Sequence, residues 1–250
     1  MLKILLSNDD GFYAEGLQTL YHHLKNKTKV VIVAPDRERS AVGHGITMHQ
    51  PLRVTPVCLD GTDHWLVNGT PADSVKLAIE TILKDNPPDL IISGINRGPN
   101  LGNDILYSGT VSAAVEGTIN GYPSIAASLN DFGKMDFNPA AAFITENIDK
   151  LSKLARKSVL NINFPKATVE NQVQGVKFTK LGMREYQNVF EERTDPRGRV
   201  YYWMSGDPVN HNQEKNSDIW AVDNGYISIT PLKLDLTNYD VLTKIELKFD

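Results

Sequence analysis

Cysteine is almost absent from this sequence, since Cys58 is the single one. One cysteine cannot form a disulfide within the chain, and such scarcity is typical of proteins that work in a reducing compartment. No cluster of cysteine and histidine indicates a zinc site either. These absences favour a cytoplasmic protein.

Long apolar runs and a strong charge of either sign are also missing. The N-terminal apolar run stops at Asn8, too short for the core of a signal peptide, and no stretch approaches the roughly 20 apolar residues that cross a membrane. With a formal net charge of -4 and a sequence pI of about 5.9, nothing indicates a nucleic-acid polymer as partner. Small anionic substrates stay open, because a bound cation or several backbone amides can outweigh the net charge locally.

What the sequence does contain is an alternation of strands and helices. The 250 residues, 41% of them hydrophobic, suffice for one large α/β domain. Between residues 2 and 164 the pattern predicts a Rossmann-like, mostly parallel sheet flanked by helices. The predicted strands are 2–6, 29–35, 89–95, 123–129, 158–164 and 226–232, with an antiparallel excursion at 52–59 and 64–67. The predicted helices include 111–120, 138–155 and 238–249.

The last third departs from this alternation. Residues 186–204 carry many charges and a strong turn signal at 195–198, and we interpret them as a protruding two-stranded hairpin, here called the arm. Because an isolated hairpin is marginal in water, we expect the arm to pack on a second subunit; the alternative is a loose surface hairpin. No composition break divides the chain, so residues 1–250 are predicted to form one domain, with a core of about residues 1–180 completed by a C-terminal strand and helix.

Two adjacent carboxylates, Asp9 and Asp10, follow the first predicted strand in a turn of the sequence Asn-Asp-Asp-Gly. Carboxylates at the end of a buried strand are costly unless a positive group neutralises them. No Lys or Arg occurs between Lys3 and Lys25, so a hard divalent cation is the simplest candidate. The alternative is a turn whose acids are solvated and cap the next helix.

Two further strand ends add oxygen donors. The second strand leads to the loop that contains Ser40, and Asn96 follows the third strand. In an open parallel sheet such ends lie together, at the edge where ligands bind. Two carboxylates, a hydroxyl and an amide carbonyl favour magnesium, manganese or calcium over zinc. The plainer interpretations are a capping role for Ser40 and a left-handed turn at Asn96.

A candidate phosphate site lies within residues 93–117, which are rich in glycine. A helix is predicted to begin there, and a helix start offers free N–H groups and a positive dipole end, although a plain N-cap is the alternative. The segment is neither a Walker loop nor a dinucleotide fingerprint. The candidate phosphate- and substrate-binding residues are Asn68, Asn100, Gly102, Ser108, Gly109 and Thr110.

His44 lies between two glycines in the loop that contains Ser40. Histidine is the commonest general acid–base side chain, so His44 is a candidate to exchange a proton near a leaving oxygen. A lone histidine in a loop is more often an ordinary surface residue. With Asp9 and Asp10 it completes the candidate catalytic set.

These motifs occur together in a known family. The segments LLSNDDG, SAVGHGIT, VNGTPADSV and SGINRGPNLGNDILYSGTVSAAVEG, followed by a hairpin arm, closely resemble the survival protein E family between residue 2 and about residue 130. The resemblance implies a cytoplasmic, metal-dependent 5′/3′-nucleotidase that hydrolyses nucleoside monophosphates; some members also trim short polyphosphate. It further implies one divalent ion per subunit, magnesium or manganese with calcium as a substitute in crystals, and a homodimer or homotetramer joined through the arm. The implied metal ligands are Asp9, Asp10, Ser40 and Asn96.

The sequence leaves two chemical routes and two rival functions open. A phosphate monoester could be attacked by water, with Asp9 or Asp10 as proton acceptor, or by one of these acids to form an aspartyl-phosphate. One rival is a magnesium-binding phosphoryl-receiver regulatory domain, with Asp60 as phosphoacceptor, although Pro56 fits poorly in the buried parallel strand that it needs. The other rival is a nucleotide-binding module without turnover.

Overall fold

The computed structural model describes residues 1–131, 133, 135–156, 158–166, 173–209 and 213–243. The strands in these residues are β1 (Lys3–Ser7), β2 (Lys29–Pro35), β3 (Val54–Leu59), β4 (Thr62–Val67), β5 (Leu90–Arg97), β6 (Ser124–Leu129), β7 (Val159–Phe164), β8 (Gly175–Phe178), β9 (Glu185–Gln187), β10 (Phe190–Thr194), β11 (Val200–Met204), β12 (Asp207–Val209) and β13 (Tyr226–Leu232). The α-helices are α1 (Glu15–Leu24), α2 (Pro71–Leu77), α3 (Gly109–Ile119), α4 (Asn138–Glu146), α5 (Ile148–Ala155), α6 (Asp218–Asp223) and α7 (Tyr239–Leu242).

Nine strands form one sheet in the order β3-β4-β2-β1-β5-β6-β7-β13-β8. The strands from β4 to β7 in this order are all parallel, whereas β3 pairs with β4 and β13 with β7 in the antiparallel sense. This arrangement confirms the predicted α/β class and its mostly parallel sheet. The chain passes from β1 to β2 on one side and later returns to β5 on the other, so the switch point, where ligands bind in such sheets, lies between β1 and β5.

Helices cover both faces of the central strands. Side chains of β1 alternate between two apolar clusters: Ile4 and Leu6 pack with Leu17 of α1, whereas Leu5 packs with Val75 of α2. Burying each such side chain contributes about 1.5–3 kcal/mol. The end of β1 is therefore held firmly at the middle of the sheet.

Several boundaries differ from those predicted. The single helix predicted over 138–155 is two helices, because Asn147 leaves helical geometry and its side-chain amide donates to the carbonyl of Phe143 at 2.9 Å. β5 continues to Arg97, so Asn96 lies in the strand rather than after it. β8 and α6 were not predicted. Of the predicted terminal helix 238–249, α7 is present, and residues 244–249 lie outside the described part of the chain.

The predicted two-stranded arm is confirmed. β10 and β11 pair in the antiparallel sense from Phe190 with Met204 to Thr194 with Val200, and β9 pairs with β12 at the base. Large apolar side chains of the arm are exposed, including Trp203 at 63%. No helix among the described residues is long and apolar enough to cross a membrane.

Candidate active site

The acidic turn at the end of β1 is tightly folded. Asn8 donates its side-chain amide to the carbonyl of Gly11 at 2.9 Å. Gly11 has a φ of +99°, and a Cβ at this position would lie 3.1 Å from the carbonyl carbon of Arg37. Glycine is required here both by the backbone angle and by the approach of the loop after β2.

Asp9 lies directly beneath the start of α3. Only 4% of the residue is exposed, and the hydroxyl of Thr110 donates to Asp9 Oδ1. A Cβ on Gly109 would lie 2.8 Å from the Cβ of Asp9, so only glycine fits at this point of the helix. Burial raises the pKa of Asp9 to about 6; the Thr110 hydrogen bond opposes this rise, and the charge of Asp10 adds to it.

Asp10 contacts the end of β5, which contains Asn96, across the switch point. The N–H of Arg97, which follows Asn96 in β5, donates to Asp10 Oδ2 at 3.0 Å. Burial raises the pKa of Asp10, and this N–H opposes the rise. The side-chain amide of Asn96 donates to the carbonyl of Gly98 at 2.9 Å, so its Oδ1 is the atom that can act as a ligand.

Ser40 is held near the acidic turn by a hydrogen bond of the preceding residue, Arg39. The N–H of Arg39 donates to the carbonyl of Asp9 at 2.7 Å. The Ser40 hydroxyl donates to Glu38 Oε1 at 2.8 Å. The predicted ligands Ser40 and Asn96 are thus each adjacent in sequence to a residue that is hydrogen-bonded to the acidic turn.

The donor set of these four residues fits a hard divalent cation. Among the described residues, no three His, Cys, Asp or Glu side chains form a group that could hold a metal, so an ion here also needs hydroxyl and amide oxygens. Burial raises the pKa of Asp9, and no positively charged side chain is among the groups that shift it, so the protein supplies no counter-charge to this buried carboxylate. A cation would do so, and oxygen ligands are those that magnesium and manganese prefer.

The start of α3 has the geometry expected of an anion site. Ser108 is the N-cap, and its Oγ accepts from the N–H of Val111 at 3.0 Å. The helix begins at Gly109, and first-turn N–H groups have no partner within a helix. Since Thr110 in the same turn binds Asp9, the start of α3 and the acidic turn are in direct contact.

Asn100 and Gly102 make internal hydrogen bonds that the sequence did not indicate. The side-chain amide of Asn100 donates to Ser128 Oγ at 2.7 Å, and its backbone N–H donates to Asn163 Oδ1 at 2.8 Å. The N–H of Gly102 donates to the buried carboxylate of Asp218 at 2.8 Å. Because the N–H of Gly102 already has this partner, we assign Gly102 no phosphate contact. The asparagines inside the apolar strand sequence VLNINF were the available signal for this network.

Asn68 lies next to the site, but both of its oxygens already accept hydrogen bonds from other residues. Its carbonyl accepts from the guanidinium of Arg39 at 2.8 Å, and its Oδ1 accepts from the N–H of Arg53 at 2.7 Å. Asn68 therefore supports the residue that precedes Ser40. A substrate contact of its side chain stays a prediction.

His44 is paired with a carboxylate that the sequence reasoning missed. His44 Nε2 lies 2.8 Å from Glu116 Oε2, and the other oxygen of Glu116 accepts from Lys76 at 2.9 Å and from Asn120 at 2.9 Å. These donors, His44 first, lower the pKa of the Glu116 carboxyl to about 2. A glutamate among the small residues of α3 was the only signal for this pairing.

Asp60 lies far from this site. It stands in the turn before β4, which is parallel to β2 and to β1, whereas Asp9 follows the end of β1. Asp60 is therefore at the opposite end of the parallel strands, where its carboxylate pairs with Lys25 at 2.5 Å. This placement contradicts the receiver-domain alternative, which needs its phosphoacceptor beside the paired acids.

Comparisons with known proteins identify the family of this chain. The family model "Survival protein SurE" matches residues 4–188. The "5'-nucleotidase SurE" of Pelotomaculum thermopropionicum is 51% identical over 249 residues, which cover 98% of this chain and 94% of that protein. The "5'-nucleotidase SurE" of Alkaliphilus metalliredigens is 48% identical over 98% of each chain. The crystal structure of the SurE protein from Aquifex aeolicus superposes with a TM-score of 0.84 at 41% identity, covering 98% of both chains. The chain therefore belongs to the survival protein SurE family.

Proposed function

We propose that this protein is a metal-dependent 5′-nucleotidase, which hydrolyses nucleoside 5′-monophosphates to nucleoside and phosphate, accepts 3′-monophosphates and also trims short polyphosphate. The names of its relatives support the nucleotidase activity. The observation that carries the proposal is the contact between Thr110 and Asp9, because it joins a helix start suited to phosphate with an acidic turn suited to a cation.

One divalent ion per subunit, magnesium or manganese, would be held by Asp9, Asp10, Ser40 and Asn96. When bound, such an ion polarises phosphoryl oxygens and lowers the pKa of water. Calcium would take the same oxygen ligands in crystals.

The protein's own groups then bind and orient the ester. The N–H of Gly109 and the hydroxyl of Ser108 hold the non-bridging phosphate oxygens and stabilise the charge that develops on them. Thr110, whose hydroxyl and N–H are both directed at Asp9, fixes this helix start beside the acidic turn. An Asp9 or Asp10 carboxylate accepts the proton of an attacking water; the alternative is attack by one of these carboxylates. His44, oriented by Glu116, donates a proton to the leaving oxygen.

The test is a panel of phosphate esters assayed with and without a chelator. Nucleoside 5′- and 3′-monophosphates, short polyphosphate and a sugar phosphate are compared on the natural chain, on Asp9→Asn and on the remote surface control Asp149→Asn. We expect the chelator and Asp9→Asn to abolish phosphate release while circular dichroism shows a folded protein, and Asp149→Asn to leave activity unchanged. Chelator-resistant hydrolysis would contradict metal dependence, and metal-dependent nucleotide binding without phosphate release would support the binding-module alternative.

We also propose that the protein works in the cytoplasm as a homodimer or homotetramer joined through the arm. The exposed apolar side chains of the arm support this proposal: Phe190, Tyr202, Trp203 and Met204 are all at least 60% exposed. Light scattering should show an oligomer for the natural chain and a monomer for Tyr202→Ser with Trp203→Ser. Leu154→Ser, on the exposed side of α5, is the matched control. An unchanged mass of the double variant would contradict the role of the arm.

A further inference from the structure

We propose that Glu38 is a positioning residue for the cation site: its carboxylate holds the proton of the Ser40 hydroxyl and leaves the lone pairs of that oxygen to the ion. This inference rests on the proposed metal dependence. Glu38 belongs neither to the predicted ligands nor to the predicted phosphate contacts. It acts through Ser40 and needs no contact with the substrate.

The neighbours of Glu38 fix its position, although its own side chain is exposed. On one side, the carbonyl carbon of Arg37 would lie 3.1 Å from a Cβ on Gly11, so the chain packs directly against the acidic turn. On the other side, the N–H of Arg39 donates to the carbonyl of Asp9 at 2.7 Å. With both neighbours held on this turn, the backbone of Glu38 cannot move away from the site.

The hydrogen bond itself determines how Ser40 can bind an ion. Ser40 Oγ donates to Glu38 Oε1 at 2.8 Å. A serine hydroxyl has one proton and two lone pairs, so committing the proton to Glu38 leaves the lone pairs for a cation. A charged acceptor also makes the hydroxyl oxygen a more basic ligand.

The charge of Glu38 also reaches the acidic turn. Burial is the main reason that the pKa of Asp10 is raised, the N–H of Arg97 opposes this rise, and the negative charge of Glu38 adds to it. This charge effect is the alternative from which the experiment separates the hydrogen bond to Ser40. Outer partners of metal ligands usually change metal affinity by about 10–100-fold when they are mutated.

The experiment measures Mn²⁺ affinity by electron paramagnetic resonance titration of the metal-free protein, without substrate. The variants are Glu38→Ala, which removes the acceptor, and Glu38→Gln, which keeps an acceptor oxygen without the charge. Asp149→Asn removes one remote surface charge as a control. Ser40→Ala, alone and combined with Glu38→Ala, tests whether Glu38 acts through Ser40.

We expect Glu38→Ala to weaken Mn²⁺ binding about 10–100-fold, Glu38→Gln to recover most of this loss, and Asp149→Asn to bind as the natural chain does. In the Ser40→Ala background, Glu38→Ala should weaken binding less than about twofold, because the hydroxyl that it positions is gone. Equal losses for Glu38→Ala and Glu38→Gln, or an undiminished loss in the Ser40→Ala background, would show a general charge effect and overturn the inference.

Failure of the inference and failure of the metal proposal give different results. If the natural chain binds one Mn²⁺ and the Glu38 variants bind it equally well, the role of Glu38 is refuted while the site stands. If the natural chain binds no Mn²⁺ stoichiometrically, the metal proposal fails, and the inference fails with it.

Discussion

Asp9 and Glu116 are both nearly buried, each with 4% of the residue exposed; Asp9 lies against the start of α3, and Glu116 is part of that helix. Burial raises the pKa of both carboxyls, but the final pKa values are shifted in opposite directions. The pKa of Asp9 is raised to about 6, mainly because its charge loses contact with water. The pKa of Glu116 is lowered to about 2, because His44, Lys76 and Asn120 donate hydrogen bonds to its carboxylate.

The protein balances the charge of Glu116 with its own basic side chains, but it does not balance the charge of Asp9 in this way. Glu116 has two basic partners within the chain, so its charge stabilises the packing of the loop around His44 on α3. Asp9 has the hydroxyl and the N–H of Thr110 and its own N–H as donors, none of which carries a positive charge, and a second acid lies beside it. A buried carboxylate without a counter-charge destabilises a fold unless a ligand supplies one. Asp9 is therefore the carboxylate whose charge a bound cation would balance, whereas the charge of Glu116 is already balanced by basic side chains.

The largest expected effect that tests this contrast is stabilisation by Mn²⁺. At a free Mn²⁺ concentration of 100 times the dissociation constant, binding to the folded state alone adds about 2.7 kcal/mol to the free energy of unfolding. We expect this gain for the natural chain and for Glu116→Gln, and almost none for Asp9→Asn, when unfolding by urea is compared with and without the ion. An equal gain in Asp9→Asn would place the bound ion elsewhere and remove the basis of the comparison.

The loss in free energy of unfolding that we expect from Glu116→Gln itself is smaller than the gain from Mn²⁺ binding. A folded-state pKa of about 2 against a usual value of 4.5 corresponds to about 3 kcal/mol. Because Lys76 and His44 are partly exposed, we expect about 2 kcal/mol at neutral pH. Since the pKa is lowered on folding, this stabilisation is present above pH 4.5 and is lost as the pH falls towards 2.

The measurement for Glu116 is urea unfolding of the natural chain and of Glu116→Gln between pH 7 and pH 3. The difference between the two chains should narrow as the pH falls. Lys76→Met, which removes one of the partners and leaves the acid, serves as the matched variant and should show a smaller difference. A difference that stays constant with pH would mean that the glutamate stabilises by packing and not by its charge.

The structure around Asp9, at the carboxyl ends of the parallel strands, could be predicted because short stretches of sequence determine it. An apolar strand that ends in two acids, and a glycine beside a serine N-cap, each specify their structure within a few residues. The alternation of strands and helices gave the parallel sheet for the same reason. The boundary at Asn147 was missed because a side-chain bond to the preceding turn, and not a proline or a glycine, separates the two helices.

The partners of the site could not be predicted, because they are distant in sequence. Glu116 lies 72 residues from His44, and Asp218 lies 116 residues from Gly102, the glycine whose amide it binds. No periodicity or spacing links such pairs, since the fold alone brings them together. The amide of Gly102 had a candidate role in phosphate binding for this reason: the sequence shows a flexible loop but not the acid that already accepts its hydrogen bond.

The smallest expected effect, and the closest test of how Asp9 is held, comes from Thr110→Val. The substitution keeps the shape of the buried side chain and removes the hydroxyl that donates to Asp9 Oδ1. A hydrogen bond to a charged group contributes about 1.5–3 kcal/mol at most, and we expect a loss near 1 kcal/mol in the metal-free protein because Asp9 can then take up a proton. Thr110→Ser keeps the hydroxyl and should lose less. If Thr110→Val loses no more than Thr110→Ser in urea unfolding, the hydroxyl contributes no more than the methyl group does, and Asp9 depends on Thr110 less than the hydrogen bond indicates.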